Sequence, residues 1–288
     1  MDIDQRIQFM IKLQKAIRSI SWPNNSQEPD YVAMLASLLP GIITVILKQI
    51  FPYRSITAGD AFIHQKPLAH FVNRFGMRDP ELGDLLIVCR EKRFSGYVYN
   101  SMLLQAKLTK NPLNTSCPND HQFLLYSEWP EFEYRRAGYL NKKRRSVIPK
   151  TISQGAQYLL IDQSNIIDFF TATVNRPLNG SRTFAGTLAA ILSFEVGKTF
   201  KVTNPRDDWS QMIVDLLHLS ATSMFNRRRS GYVGKKRLNC DEMFNLLLNS
   251  GEMEEGLISE QIINDENEGS SMGGMRIICV DLGISQDE

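Results

Sequence analysis

Asp84 is followed, after 20 residues, by Gln105-Ala106-Lys107. A carboxylate, an amide oxygen and an ammonium are the groups that hold a hard cation beside a phosphate. Their surroundings are apolar. Leu85-Leu86-Ile87-Val88 reads as a strand buried on both faces, with Asp84 opening it. Tyr97 to Leu108 reads as the next strand, and Gly96 lies in the charged turn between them. Side chains two apart on a strand share a face, so Gln105 and Lys107 point the same way. If the two strands pair as a hairpin, Asp84 meets that pair. Polar groups set among Leu and Ile cost several kcal/mol unless they serve one another or a ligand. Mg²⁺ suits the demand, because it takes oxygen ligands, often only one or two of them carboxylates, and keeps its waters. In this reading Asp84 is the anionic ligand, and Gln105 and the Ala106 carbonyl are neutral ones. Lys107 orients the attacking water or offsets charge on the phosphorane. Mn²⁺ suits the same donors.

Asp84…Gln105-Ala106-Lys107 resembles the core of the PD-(D/E)XK nuclease superfamily in its QxK variant. The resemblance covers roughly residues 55–165. It implies that the Asp and the QxK lie on adjacent strands of a small mixed sheet flanked by helices, a restriction-endonuclease-like core. Gln122-Phe-Leu-Leu-Tyr126 is similar to the Q-x-x-x-Y helix that follows this core in RecB-like members. Gln122 and Tyr126 are four apart and share a helix face. Two departures stand out. Gln105 replaces the usual Glu, which removes a negative charge from the site, and Gly83 stands where the family has Pro. Glu81 joins Asp84 as a second acid only if Gly83 bends the chain. His64, in Ile63-His64-Gln65-Lys66-Pro67, occupies the place of an upstream His found in some RecB-like members.

Arg135, Arg136, Lys142, Lys143, Arg144, Arg145 and Lys150 put seven positive charges between residues 135 and 150, with no acid among them. Tyr134 and Tyr139 are interleaved. Arg227, Arg228 and Arg229, then Lys235, Lys236 and Arg237, add six more. Such clusters suit phosphate contacts, with aromatics to stack on bases. No zinc-finger or RNA-recognition signature accompanies them, so they do not indicate sequence-specific reading.

The elements that must position these residues can be read in outline. Residues 2–20 form an amphipathic helix, with Ile3, Ile7, Met10, Ile11, Ile17 and Ile20 mostly at three- and four-residue steps. Tyr31 to Leu47 carries no charge. As one helix it would reach about 26 Å, short of the ~30 Å hydrocarbon core, and Pro40-Gly41 divides it. Two short buried helices and no membrane span are expected. His121–Trp129 reads as a short helix, Arg135–Lys150 as a flexible basic stretch, and Tyr158–Ile161 as a strand. Trp209–Phe225 is a clear helix and Asp241–Leu248 a second. Asp265–Gly274 is a linker and Met275–Leu282 a last strand. Strands and helices alternate without a regular βα period, which leaves α/β and α+β both open. With the resemblance added, α/β is the expected class: a small mixed sheet flanked by helices, with N-terminal helices and a mainly helical C-terminal part.

The charge is divided along the chain. From Gly251 onward there are ten acidic residues and one basic residue, Arg276, which leaves 32 basic and 21 acidic residues before it. A basic body with an acidic tail suits a polyanion partner. The four cysteines, Cys89, Cys117, Cys240 and Cys279, form no CxxC pair, which argues against a zinc ribbon and a disulfide framework and for a reducing cytoplasm. Met1-Asp2-Ile3-Asp4 is acidic where a secretory signal would be basic. Four regions follow: N-terminal helices at 1–52, a nuclease-like core at 53–200, a helical basic region at 201–250, and an acidic linker with a terminal strand at 251–288. The resemblance implies an Mg²⁺-dependent nuclease acting on DNA, with RNA not excluded. A partner protein or homo-oligomer would supply targeting, and bacterial phage defence is one setting. The alternative is a catalytically inactive nuclease-fold subunit that binds nucleic acid or scaffolds a complex.

Overall fold

Successive residues of a strand face opposite ways, and in the central strands of this protein both sets are apolar. Leu85, Ile87 and Cys89 of β3 (Leu85–Arg93) join Met102, Leu104 and Ala106 of β4 (Gly96–Thr109) in one core. Leu159 and Ile161 of β7 (Ala156–Asp162) and Ile278 and Val280 of β11 (Met275–Ser285) extend it. Leu86, Val88, Leu103, Tyr158, Leu160, Ile277 and Cys279 face a second core on the other side. A sheet apolar on both faces must be covered twice. Helices α1 (Ile3–Ser19), α2 (Glu28–Ile50) and α4 (Phe184–Leu192) cover the first face. Helices α3 (Asp120–Glu128) and α5 (Asp208–Arg228) cover the second. With them lies a small antiparallel sheet of β2 (Leu68–His70), β5 (Phe132–Arg135) and β6 (Arg144–Arg145). The fold is mixed α/β.

This computed structural model describes all residues except 23–25, 64–65, 73–78, 118–119, 203–204, 229–273 and 286–288, with backbone alone at 221–228 and 284–285. Among the described residues the main sheet has eight strands, so it is not the small sheet expected. Its order is β1 (Arg54–Ile63), β11, β3, β4, β7, β8 (Asp168–Ala172), β9 (Arg182–Thr183), and β10 (Lys198–Phe200) pairs with β4. β3 and β4 form an antiparallel hairpin, β7 runs parallel to β4, and β11 runs parallel to β3. The last strand therefore lies between β1 and β3, not at an edge. Arg90 of β3 donates to both carboxylate oxygens of Asp281 on β11, at 3.0 and 2.6 Å.

Three expectations change. Pro40-Gly41 does not divide the apolar segment, because α2 runs through it unbroken. A proline inside a helix costs about 3 kcal/mol. Nine side chains of α2 are buried, several of them large and each stabilising by roughly 1.5–3 kcal/mol, so packing wins. An 18-residue window of α2 has a mean hydropathy of 1.9 and is half buried within the protein, the only such helix among the described residues. Second, the 135–150 stretch is structured. Ala137, Leu140 and Val147 sit in the second core and anchor it, with a 3₁₀ turn at Gly138–Leu140. Third, β1, β8 and α4 have no counterpart in the sequence reading. The 241–248 helix lies outside the described residues, as does the 265–273 part of the linker.

Candidate catalytic and nucleic-acid-binding site

Asp84 stands one residue before β3, where the chain bends, and is 4% exposed. Its backbone is pinned from both sides: its N–H donates to the Leu104 carbonyl and its carbonyl accepts from Arg276 N–H, each at 2.9 Å. The side chain is thus aimed across the hairpin at β4. Its Oδ2 accepts from the Ala106 N–H at 2.8 Å and from the Gln105 amide. Its Oδ1 accepts from the Lys66 ammonium at 2.6 Å, and the same ammonium donates to Glu81 Oε2 at 2.8 Å. Asp84 and Gln105 are brought together, as the hairpin pairing required.

Helix α3 closes the network from the second face. Gln122 donates to the Gln105 amide oxygen and lies 3.3 Å from the Glu81 carbonyl. One turn on, the Tyr126 hydroxyl donates to the Leu82 carbonyl at 2.8 Å. Both side chains grip the 81–82 bend, so they share a helix face as the four-residue spacing predicts. The bend brings Glu81 and Asp84 to one ammonium. Close packing explains Gly83: a Cβ there would lie 2.7 Å from Leu103 Cδ1 and 3.2 Å from the Tyr126 hydroxyl oxygen. Burial alone would lower the pKa of Lys66, but Asp84 and Glu81 outweigh it and hold the ammonium above its ordinary value. Burial raises the Tyr126 phenol well above its usual range, and Asp84 and Glu81 add to this.

Lys107 does not join Asp84. Its ammonium is 3.4 Å from Glu28 Oε2, in the first turn of α2, and Glu28 Oε1 accepts from the Leu108 N–H at 2.9 Å. The expected pocket of Asp84, Gln105 and Lys107 is therefore divided. The physical reason is charge pairing: Lys66 already neutralises Asp84, and Glu28 offers Lys107 a carboxylate of its own. Nor does Ala106 turn its carbonyl to Asp84; the group facing Asp84 is its N–H. His64 lies outside the described residues.

The sequence reading passed over Lys66 and Glu28. Lys66 precedes Pro67, a position biased to extended backbone, which was its one local signal. Glu28 had none, since it meets β4 only through tertiary packing.

Among the described residues no group of three His, Cys, Asp or Glu side chains is arranged to hold a metal ion. The donors are instead two carboxylates on the Lys66 ammonium and one amide on Asp84. In kind this set suits Mg²⁺ or Mn²⁺, which take few carboxylates and keep their waters. In the arrangement described, Lys66 fills the cationic position and the Gln105 oxygen faces Gln122.

The basic stretch separates into two groups. Arg145 is structural: it donates to Asp215 Oδ2 at 2.9 and 2.6 Å, with its side chain 13% exposed. Arg135 is 3.2 Å from Asp79 Oδ2, whose other oxygen lies 2.7 Å from His70 Nδ1. Arg144 lies 3.8 Å from Glu131 and 4.0 Å from Glu133. Arg136, Lys142 and Lys143 are exposed and pair with no acid among the described residues. Arg136 and Lys142 hold left-handed backbone, at φ 52° and 71°. Lys143 Nζ lies 5.2 Å from the Tyr139 ring centroid. Their turn follows β5, and the register of Leu68 with Arg135 points it toward Pro67 and Lys66. The side chains of Arg227 and Arg228, at the end of α5, lie outside the described residues, as does Arg229.

No family model matches the chain, and no curated protein or solved structure matches it.

Proposed function

We propose that this protein is a metal-dependent nuclease with a restriction-endonuclease-like core that hydrolyses phosphodiester bonds in DNA. One observation carries the reading. A buried carboxylate before one strand, an amide on its hairpin neighbour and a glutamine on the following helix form one hydrogen-bonded chain, Asp84–Gln105–Gln122, in the order the motif requires. Such a network has a structural role by default, but Glu81 bridges Leu68, whose other partner, Arg135, leads directly into the basic turn. A bound Mg²⁺ or Mn²⁺ would supply electrophilic stabilisation of the phosphate oxygens. Asp84 and Glu81 would hold it, and Lys66 would have to yield its place. Arg136, Lys142 and Lys143 would bind the backbone of the nucleic acid. Targeting by a partner protein or homo-oligomer, a cytoplasmic location and a role in phage defence are supported by the resemblance and by cysteine usage alone.

The second reading is a catalytically inactive copy of the fold that binds nucleic acid or scaffolds a complex. Lys66 favours it, since an internal ammonium already satisfies both carboxylates. Incubation of purified protein with plasmid and with single-stranded DNA, in Mg²⁺ and in Mn²⁺, separates the two. The nuclease reading expects cleavage that is lost with chelator and in Asp84→Asn. Cleavage that survives Asp84→Asn would remove the proposed centre. Binding without cleavage in either metal would leave the inactive reading.

A further inference from the structure

At the opposite end of β3 from Asp84, about 30 Å away along the strand, the hairpin turn and the end of α2 enclose a cleft of about 700 Å³. Small-molecule sites fall in this size range. One wall is aromatic: Phe51, Tyr53 and Phe94 line it, with Tyr53 62% exposed and Phe94 fully exposed. The other wall is cationic, with Arg54 and Arg93, while Lys92 turns its ammonium to the other face of the strand, 4.6 Å from the Tyr97 ring centroid. Its single acid, Glu91, is already engaged. Arg54 Nη2 lies 3.0 Å from one carboxylate oxygen and Arg93 Nε 2.7 Å from the other. Arg54 Nε also donates to the Gly283 carbonyl at 2.8 Å. The carboxylate therefore acts as a brace that orients two guanidiniums; Arg93 also lies over the Phe194 ring, 4.8 Å from its centroid, and its Nη groups make no hydrogen bond among the described residues. The wall keeps one positive charge in excess. Rings left in water beside oriented guanidiniums suit a planar ring carrying an anion: aromatic side chains stack on bases, and arginine recognises phosphate through paired donors.

We propose that this cleft binds a nucleobase with its phosphate, with the base stacked on Phe94 or Tyr53 and the phosphate on Arg93. The unit arrives either as a free nucleotide or as one residue of a single strand. The site is remote from Asp84 and does not depend on the nuclease reading.

Titration with adenosine 5′-monophosphate and with a thymidine pentanucleotide, both in chelator so that nothing is cleaved, tests the proposal and its source. At least one probe is expected to bind saturably. Phe94→Ala and Arg93→Ala should each weaken that binding about tenfold, while Lys15→Ala on α1 leaves it unchanged. Monophosphate binding identifies the free nucleotide as source, and pentanucleotide binding alone identifies the strand. The wholly exposed position of Phe94 keeps its removal from disturbing the core, and an unchanged melting temperature checks this for both variants. Absence of saturable binding by either probe at millimolar concentration overturns the proposal, as does equal binding by wild type and both cleft variants.

Discussion

The Lys66 ammonium lies 2.6 Å from Asp84 Oδ1, and the two side chains are 11% and 6% exposed. A pair this buried is costly to break, because removing one partner leaves an uncompensated charge. Lys66→Ala is therefore expected to lower the unfolding free energy by about 3 kcal/mol, measured by urea denaturation in chelator. If a divalent ion takes the place of Lys66, Mn²⁺ should restore part of the loss in the variant and leave the wild type unaffected. A variant as stable as wild type would show that the pair contributes nothing.

The same pair sets a response to alkali. The folded-state pKa of Lys66 is raised, so its contribution to stability is complete below its unfolded value, about 10.4, and is lost as pH rises through the folded value. Tyr126 acts in the same direction, because burial disfavours its ionised form and unfolding releases it. Stability should fall steeply above about pH 10.4. Asp84→Asn should flatten the Lys66 part of the slope. Denaturation midpoints across that range, for wild type and variant, test this.

Arg145 and Lys142 should behave oppositely although only three residues separate them. Arg145→Ala strands Asp215, and is expected to cost about 3 kcal/mol by denaturation. Lys142→Ala should stay within about 0.5 kcal/mol of wild type. If the protein binds DNA as proposed, the order should reverse. Lys142→Ala should reduce the slope of log affinity against log salt by about one, as expected for one lost phosphate contact. An unchanged slope would remove Lys142 from the binding surface.

β11 is expected to be indispensable to folding. It hydrogen-bonds to β1 and β3, donates to the Asp84 carbonyl, and neutralises the 4% exposed Arg90 side chain through Asp281. Burial alone would lower the Arg90 pKa, and Asp281 brings it above the ordinary value. Asp281→Ala should cost about 3 kcal/mol, and removal of residues 275–285 should abolish the cooperative thermal transition. A truncated chain that melts cooperatively would refute this.

Much of the site was legible because it is local. Asp84 before a continuous apolar run, and Gln105 inside another with one glycine turn between, define a hairpin whose register needs no tertiary information. Gln122 and Tyr126 declare their common face by helical period. Lys107 was misread for the converse reason: strand alternation gives the direction of a Cβ, but a four-carbon stem ends where the nearest carboxylate is. Glu28 comes from a helix 79 residues away in sequence. Pro40 misled because a local propensity of a few kcal/mol was weighed without the burial that opposes it.

Amino-acid order alone determined the hairpin, the polar residues set within it and the basic run, since each follows from spacing within a short segment. Only the folded chain decided that Met275–Ser285 lies mid-sheet, that Lys66 holds Asp84 and Glu81, and which arginines are tied down. Those outcomes depend on charges and strands distant in sequence finding one another. That search is settled by the desolvation of whole faces and the pairing of buried charges, for which no single segment contains both partners.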